Sequence, residues 1–238
     1  MAELTTYELD GRIASVTMDD GKVNAFSVPM LRSIHAAMDQ AERDVAVVVL
    51  TGRATTFSAG FDLKTFAGGS GKEILEMLTL GATLAERILA FPTPVVTACN
   101  GNALPAGAFL LMSADLRIGA EGPFRLGCNE VAIGLTIPWF AIELARHRLH
   151  PAAFDRTIVN ATMFSPSEAV DAGLLDKVVD PEALRDASLA GAAELAELDM
   201  AAHAATKRRA RAKVLAAVHE AIESELTVEN FATEQPRA

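Results

Sequence analysis

Val95-Val-Thr-Ala-Cys-Asn-Gly-Asn-Ala-Leu-Pro-Ala-Gly107 passes from a β-branched run into a Gly- and Pro-bearing turn and on into an apolar segment. The composition predicts a strand over Val95–Cys99, a helix from about Ala106 to Ala114, and a further strand at Leu116–Ile118. The same order occurs one unit earlier. Val45-Ala-Val-Val-Val-Leu50 is a continuous run suited to a strand buried on both faces. The turn Phe57-Ser-Ala-Gly-Phe-Asp-Leu63 follows it, and then a helical stretch over about Lys72–Leu89. Strand and helix patterns alternate through the first two-thirds of the chain, which points to an α/β architecture of stacked units.

Upstream, Thr5–Leu9 and Arg12–Met18 read as a hairpin joined by Asp10-Gly11. Ser27, Pro29 and the apolar residues Leu31, Ile34, Met38 and Ala41 fit a capped amphipathic helix. Downstream, Ser165-Pro-Ser-Glu168 is a capping box, and Gly173 ends that short helix before a strand over Leu174–Val179. Beyond Pro181 the sequence turns alanine-rich, with no Gly or Pro between Asp199 and Leu226. We expect a core over 1–190 and a helical region over 191–238 that packs on the main body or on a partner subunit.

Composition excludes several classes. Half of the 238 residues are hydrophobic and 22% are charged, as in ordinary globular domains. The longest apolar stretch, Ala103–Met112, contains Pro and Gly and falls far short of the roughly 20 residues that span a bilayer. The first residues lack a basic and then apolar leader, so a cytoplasmic location is expected. A net charge of −10, with one Trp and one Tyr, argues against nucleic acid as a partner. Cys99 and Cys128 read as two buried thiols, and no Cys or His spacing suggests a metal site.

Some motifs fail on spacing. Gly68-Gly-Ser-Gly-Lys72-Glu73 lacks both the leading Gly and the trailing Ser or Thr of a phosphate loop, and reads as a solvated loop. Ser58 lies in a Gly-containing turn, but Thr56 stands where a nucleophile elbow needs Gly. The five histidines occupy helical patterns, and the basic run Lys207–Lys213 reads as a solvated helix face. The two Gly-containing turns place free backbone N–H groups at strand exits. Small residues at Ala59, Gly60, Ala106 and Gly107 allow close approach to the main chain, and the helix start near Ala106 favours developing negative charge.

Five segments, in order, resemble the crotonase (enoyl-CoA hydratase/isomerase) superfamily. They are Val23-Asn-Ala-Phe-Ser27, Phe57–Lys64, Asn100–Gly107 with Ala114-Asp-Leu-Arg-Ile118, Leu126-Gly-Cys-Asn-Glu-Val-Ala-Ile-Gly134, and Glu168–Val179. The resemblance implies a spiral of ββα units with a C-terminal α-helical trimerisation region, hence a homotrimer or hexamer. It also implies an acyl-coenzyme A thioester as substrate, with coenzyme A part of that substrate and no separate cofactor. Matched residue by residue, the backbone N–H groups of Phe61 and Ala106 would bind the thioester oxygen. Ala25, Ala59, Phe61, Asp62, Leu63, Lys64, Ala106, Gly107 and Phe109 would line the site, with Lys64 as a local cation. Ala106 replaces a glycine common in the family, which keeps the N–H and narrows the space around it.

Hydratases of this family use two glutamates, and this chain has Phe109 at the first position and Glu130 at the second. One carboxylate suffices to take a proton from C2 and return one at C4, whereas water addition uses both. The pattern resembles the Δ3,Δ2-enoyl-CoA isomerases, which also carry an apolar residue at the first position. Isomerisation is therefore the favoured expectation. A single-glutamate hydratase and a non-catalytic acyl-CoA-binding homologue are the alternatives.

Overall fold

The computed structural model describes residues 4–53 and 55–233. The leader reading at the N-terminus and the last five residues of the 191–238 region extend outside the described residues. Strands β1 (Thr5–Asp10) and β2 (Ile13–Met18) pair antiparallel, Thr5 opposite Met18, across the expected Asp10-Gly11 turn. After β3 (Ala25–Phe26), Ser27 caps α1 (Val28–Arg43), its hydroxyl accepting the Met30 N–H. One stripe of α1, Met30, Leu31, Ile34, Ala37, Met38 and Ala41, is buried. Strand β4 (Val47–Thr51) leads to the short strands β5 (Thr56–Ser58) and β6 (Gly60–Phe61), then to α2 (Leu63–Gly68) and α3 (Gly71–Ala90). Strand β7 (Val95–Cys99), β8 (Asn102–Ala103), α4 (Pro105–Ser113) and β9 (Leu116–Ala120) complete the next unit.

The long strands form a six-stranded sheet in the order β1-β2-β4-β7-β9-β10, where β10 spans Lys177–Val179, and every pairing after the first is parallel. Each short strand pairs with a short segment of another unit. β3 runs parallel to β6, β5 to β8, and Ala103 bridges to Leu126. The units therefore stack through a second, minor ladder that carries the strand exits side by side. These are the stacked strand-and-helix units expected from the sequence.

The remaining helices are α5 (Trp139–Arg148), α6 (Pro151–Ile158), α7 (Pro166–Ala172), α8 (Leu184–Ala196), α9 (Met200–Ala210), α10 (Ala212–Glu225) and α11 (Val228–Thr233). One sheet face meets α1, α3 and α4 in the main core; on the other, Val47, Val49, Val96 and Ile118 pack against Leu184, Ala192 and Ala196 of α8. A boundary at residue 190 falls inside α8. That helix lies on the sheet because Gly191 lets it approach Leu116; a Cβ there would sit 2.7 Å from Leu116 Cδ2.

Several expectations need correction. Val45 is not in the strand; it is 55% exposed at φ 50° and closes α1 in a Schellman arrangement, Ala46 N–H donating to Ala41 and Val45 N–H to Glu42. Gly68–Glu73 is not a loop. Gly68 ends α2, Ser70 caps α3, and Glu73 returns its carboxylate to the Ser70 N–H, a capping box the reading overlooked. The basic run is not all solvated, since Lys207 is buried with Nζ 2.6 Å from Asp115 and Arg211 reaches the same carboxylate at 2.9 Å. The strand after Gly173 is confined to Lys177–Val179, with Leu174 and Leu175 serving the core. Both cysteines are free and buried, as expected. Among the described residues no helix is long and apolar enough to cross a membrane.

Candidate active site

The first Gly-containing turn is held from below by Asn24. Its side-chain amide is fully buried and donates to the carbonyls of Met18 (2.9 Å), Phe57 (3.2 Å) and Thr56 (3.3 Å). Ser58 Oγ donates to the Asn24 carbonyl at 2.7 Å and accepts the Gly60 N–H at 3.0 Å. In the β3–β6 ladder the Asp62 N–H donates to the Phe26 carbonyl. Alternate residues bond in a parallel ladder, so the Phe61 N–H is directed away from β3. The Phe61 ring rests over Gly81 of α3, where a Cβ would come within 2.4 Å of Cε1.

The second turn runs beside the first. Ser58 pairs with Ala103, and the Ser58 carbonyl accepts the Leu104 N–H at 2.9 Å. Leu104 is the N-cap of α4 and offers no side-chain acceptor, while Pro105 has no N–H. The N–H groups of Ala106 and Gly107 are thus first-turn donors without intrahelical partners, both on buried residues. Gly60, at φ +84°, brings the two turns into contact: a Cβ on it would lie 3.4 Å from the Ala106 nitrogen. The left-handed φ is what calls for glycine there, since a Cβ at that distance would be in ordinary contact.

Glu130 is attached to the same place. Leu126 bridges Ala103, and the Gly127 N–H donates to the Ala103 carbonyl, fixing the start of the irregular segment that carries Glu130 four residues from Leu126. Its residue is 6% exposed, and Oε2 has no hydrogen-bond partner among the described residues. Burial disfavours the charged carboxylate and raises the pKa to about 7, with the residue's own backbone N–H pulling slightly the other way. It is the one carboxylate residue in the buried class among the described residues, and it forms no salt bridge there.

Phe109 lies one helical turn beyond Ala106 on α4, buried, with its ring edge-on to Phe140 of α5 at 5.5 Å between centroids. Of the other residues expected at the site, Ala25 donates its N–H to Asp20, Ala59 donates its own to Val23, and both flank the first turn. Asp62 caps α2 by accepting the Lys64 N–H at 3.0 Å, so its carboxylate already has a structural role. Leu63, 59% exposed, and Lys64 lie on the solvent side of α2. The structure sets the Phe61 and Ala106 turns side by side and joins the segment ahead of Glu130 to the second of them through Ala103.

Sequence reasoning missed two polar residues. Ser58 is read there as a rejected nucleophile and as one letter of a matched segment, and Asn24 as one letter of another. The available signal was position, because a serine and an asparagine inside otherwise apolar strand ends have to satisfy backbone groups if buried.

Comparison with known proteins agrees with this arrangement. The family model described as Enoyl-CoA hydratase/isomerase matches residues 8–236. A probable enoyl-CoA hydratase of Bacillus subtilis is 35% identical over 172 residues, covering 70% of this chain and 66%, just under two thirds, of that protein. The crystal structure of an enoyl-CoA hydratase/isomerase family protein from Pseudomonas syringae superposes with a TM-score of 0.91 at 46% identity, over 94% of this chain and 96% of that one. An enoyl-CoA isomerase of Mycobacterium tuberculosis gives 0.90 at 39% identity, over 99% and 100% of the two chains. The same mycobacterial protein also goes by the name probable enoyl-CoA hydratase. With a family match over almost its whole length, this chain belongs to the enoyl-CoA hydratase/isomerase family.

Proposed function

We propose that the protein shifts the double bond of a 3-enoyl-coenzyme A thioester to the 2-position. The thioester oxygen accepts the N–H groups of Phe61 and Ala106, which hold the negative charge of the enolate. Removing one such donor elsewhere costs about 3–4 kcal/mol of transition-state stabilisation. The Glu130 carboxylate takes a proton from C2, the electron pair spreads over the dienolate, and the resulting carboxylic acid returns the proton at C4. Nothing is oxidised or reduced, and the reaction requires no separate cofactor. A pKa of about 7 suits a group that must both accept and give back one proton near neutrality.

The observation that carries the reading is that Glu130 is a buried carboxylate with no ionic partner among the described residues, while position 109 holds a phenylalanine packed on Phe140. A water molecule attacking C3 needs a second acceptor to orient it, and Phe109 offers none. The second reading, an enoyl-CoA hydratase working through Glu130 alone, is favoured by the hydratase names that several relatives carry. In either case we expect a cytoplasmic protein assembled in threes through its C-terminal helices, with Lys64 near the coenzyme A phosphates. Incubating the protein with a 3-enoyl and a 2-enoyl thioester in separate vessels, with conjugation followed by absorbance and hydration by mass, tests the reading. Conjugation without mass change supports isomerisation; gain of one water by the 2-enoyl thioester alone supports hydration. Tight binding with no turnover of either supports the non-catalytic reading.

A further inference from the structure

We infer that Ser58 is a positioning residue that aims both backbone donors of the proposed oxyanion hole at one point. The inference rests on the reading that Phe61 and Ala106 hold the thioester oxygen. Ser58 is fully buried and lies between the two turns. Its hydroxyl proton is committed to the Asn24 carbonyl at 2.7 Å, which leaves an oxygen lone pair for the Gly60 N–H at 3.0 Å. That bond fixes the peptide plane ahead of Gly60, and the left-handed Gly60 then sets the plane carrying the Phe61 N–H. The Ser58 carbonyl meanwhile accepts the Leu104 N–H at 2.9 Å, anchoring the N-cap of α4 and hence the Ala106 N–H two residues on.

The contact is tight as well as polar. A Cβ on Gly107 would meet Ser58 Cβ at 3.0 Å, so the first turn of α4 lies directly on this side chain. Asn24 keeps the base of the arrangement rigid: its amide gives three hydrogen bonds, and its Oδ1 accepts the Asp20 N–H at 3.1 Å. Ser58 therefore touches neither substrate nor proton. Its hydroxyl acts through Gly60 and its carbonyl through Leu104, and a small misplacement of either donor is enough to cost about 100-fold in rate.

The test uses the full-length protein and a chromophoric dienoyl-coenzyme A thioester, whose absorption moves to longer wavelength when its carbonyl is polarised. Ser58→Ala is compared with wild type and with Thr157→Ala, which deletes a buried hydroxyl that bonds only within α6. We expect Ser58→Ala to lose most of the wavelength shift and at least about tenfold in kcat on a 3-enoyl thioester, with KM changed less than about threefold. Thr157→Ala should lower Tm and leave both the shift and kcat as in wild type. If Ser58→Ala does not accumulate as folded protein, Ser58→Cys, which keeps a weaker donor and acceptor, should give an intermediate shift. A wild-type shift and kcat in a folded Ser58 variant would overturn the inference and leave the oxyanion-hole reading standing. A wild-type protein that binds the probe without any shift would overturn that reading, and the inference with it.

Discussion

Phe109 meets Phe140 edge to face, ring centroids 5.5 Å apart and planes at 84°, and both rings are buried. The pair joins α4, whose first turn supplies the Ala106 N–H, to α5, which follows the Glu130 segment. In the proposed reading it puts carbon where a hydratase of this family would carry its first glutamate. Phe109→Ala should destabilise the fold by about 3–5 kcal/mol, the usual cost of deleting a buried aromatic ring. The cavity should also admit water, raising the ratio of hydrated to isomerised product when the variant is given a 3-enoyl thioester. Denaturant unfolding checks the first effect, and absorbance for the conjugated product with mass for the hydrated one checks the second.

Glu130 links activity and stability through one proton. Its pKa rises on folding from an ordinary 4.5 to about 7, so the folded state binds more protons than the unfolded state between those values. Stability therefore falls as pH rises through that window. Glu130→Gln removes the charged form, and above about pH 8 the variant should be more stable than wild type by on the order of 3 kcal/mol. Below about pH 4 the two should converge. Thermal unfolding across this pH range measures it. In wild type, proton abstraction needs the carboxylate, so kcat/KM should rise with pH and level off above about 7.

Gly81 is a site where helix propensity and function oppose one another. An alanine in the interior of α3 would ordinarily stabilise the helix by about 1 kcal/mol. Here its Cβ would lie 2.4 Å from Cε1 and 2.6 Å from Cζ of Phe61, so the ring must move, and the prediction is that this movement reaches the Phe61 backbone. Gly81→Ala should reduce kcat at least about tenfold by displacing the Phe61 N–H. Steady-state kinetics beside a melting curve distinguish this from general unfolding.

Val45 carries strain that function does not need. A β-branched residue at φ 50° is disfavoured, and this one is exposed and makes the helix-end turn that glycine makes most easily. Val45→Gly should stabilise the protein by about 1 kcal/mol with no change in turnover. A loss of stability in urea titration would show that the Val45 side chain has a packing role.

Much of the fold is legible in the sequence because its signals are local. Asp10-Gly11, the Ser27 cap, the Val95–Cys99 run and the Ser165–Glu168 capping box each act within a few residues, and each element formed where expected. The errors have physical causes. Val45 has strand composition, yet the end of α1 takes it for a turn. Lys207 reads as a surface charge until Asp115, distant in sequence, meets it in the interior. For the site, the matched segments pick out both turns and Glu130. Position alone hints that Ser58 and Asn24 serve backbone groups, but which ones they serve is not legible, because the bond that joins the two residues spans 34 positions that only folding brings together.

The central claim is that one buried carboxylate moves one proton along a thioester-activated chain. Initial rates of conjugation of a 3-enoyl-coenzyme A, measured by absorbance for wild type and Glu130→Gln at about pH 8, test it most directly. Wild type should conjugate the substrate, and the folded variant should lose at least about 100-fold in rate. Conjugation that persists undiminished in Glu130→Gln, or a wild type that only adds water to a 2-enoyl thioester, would contradict it.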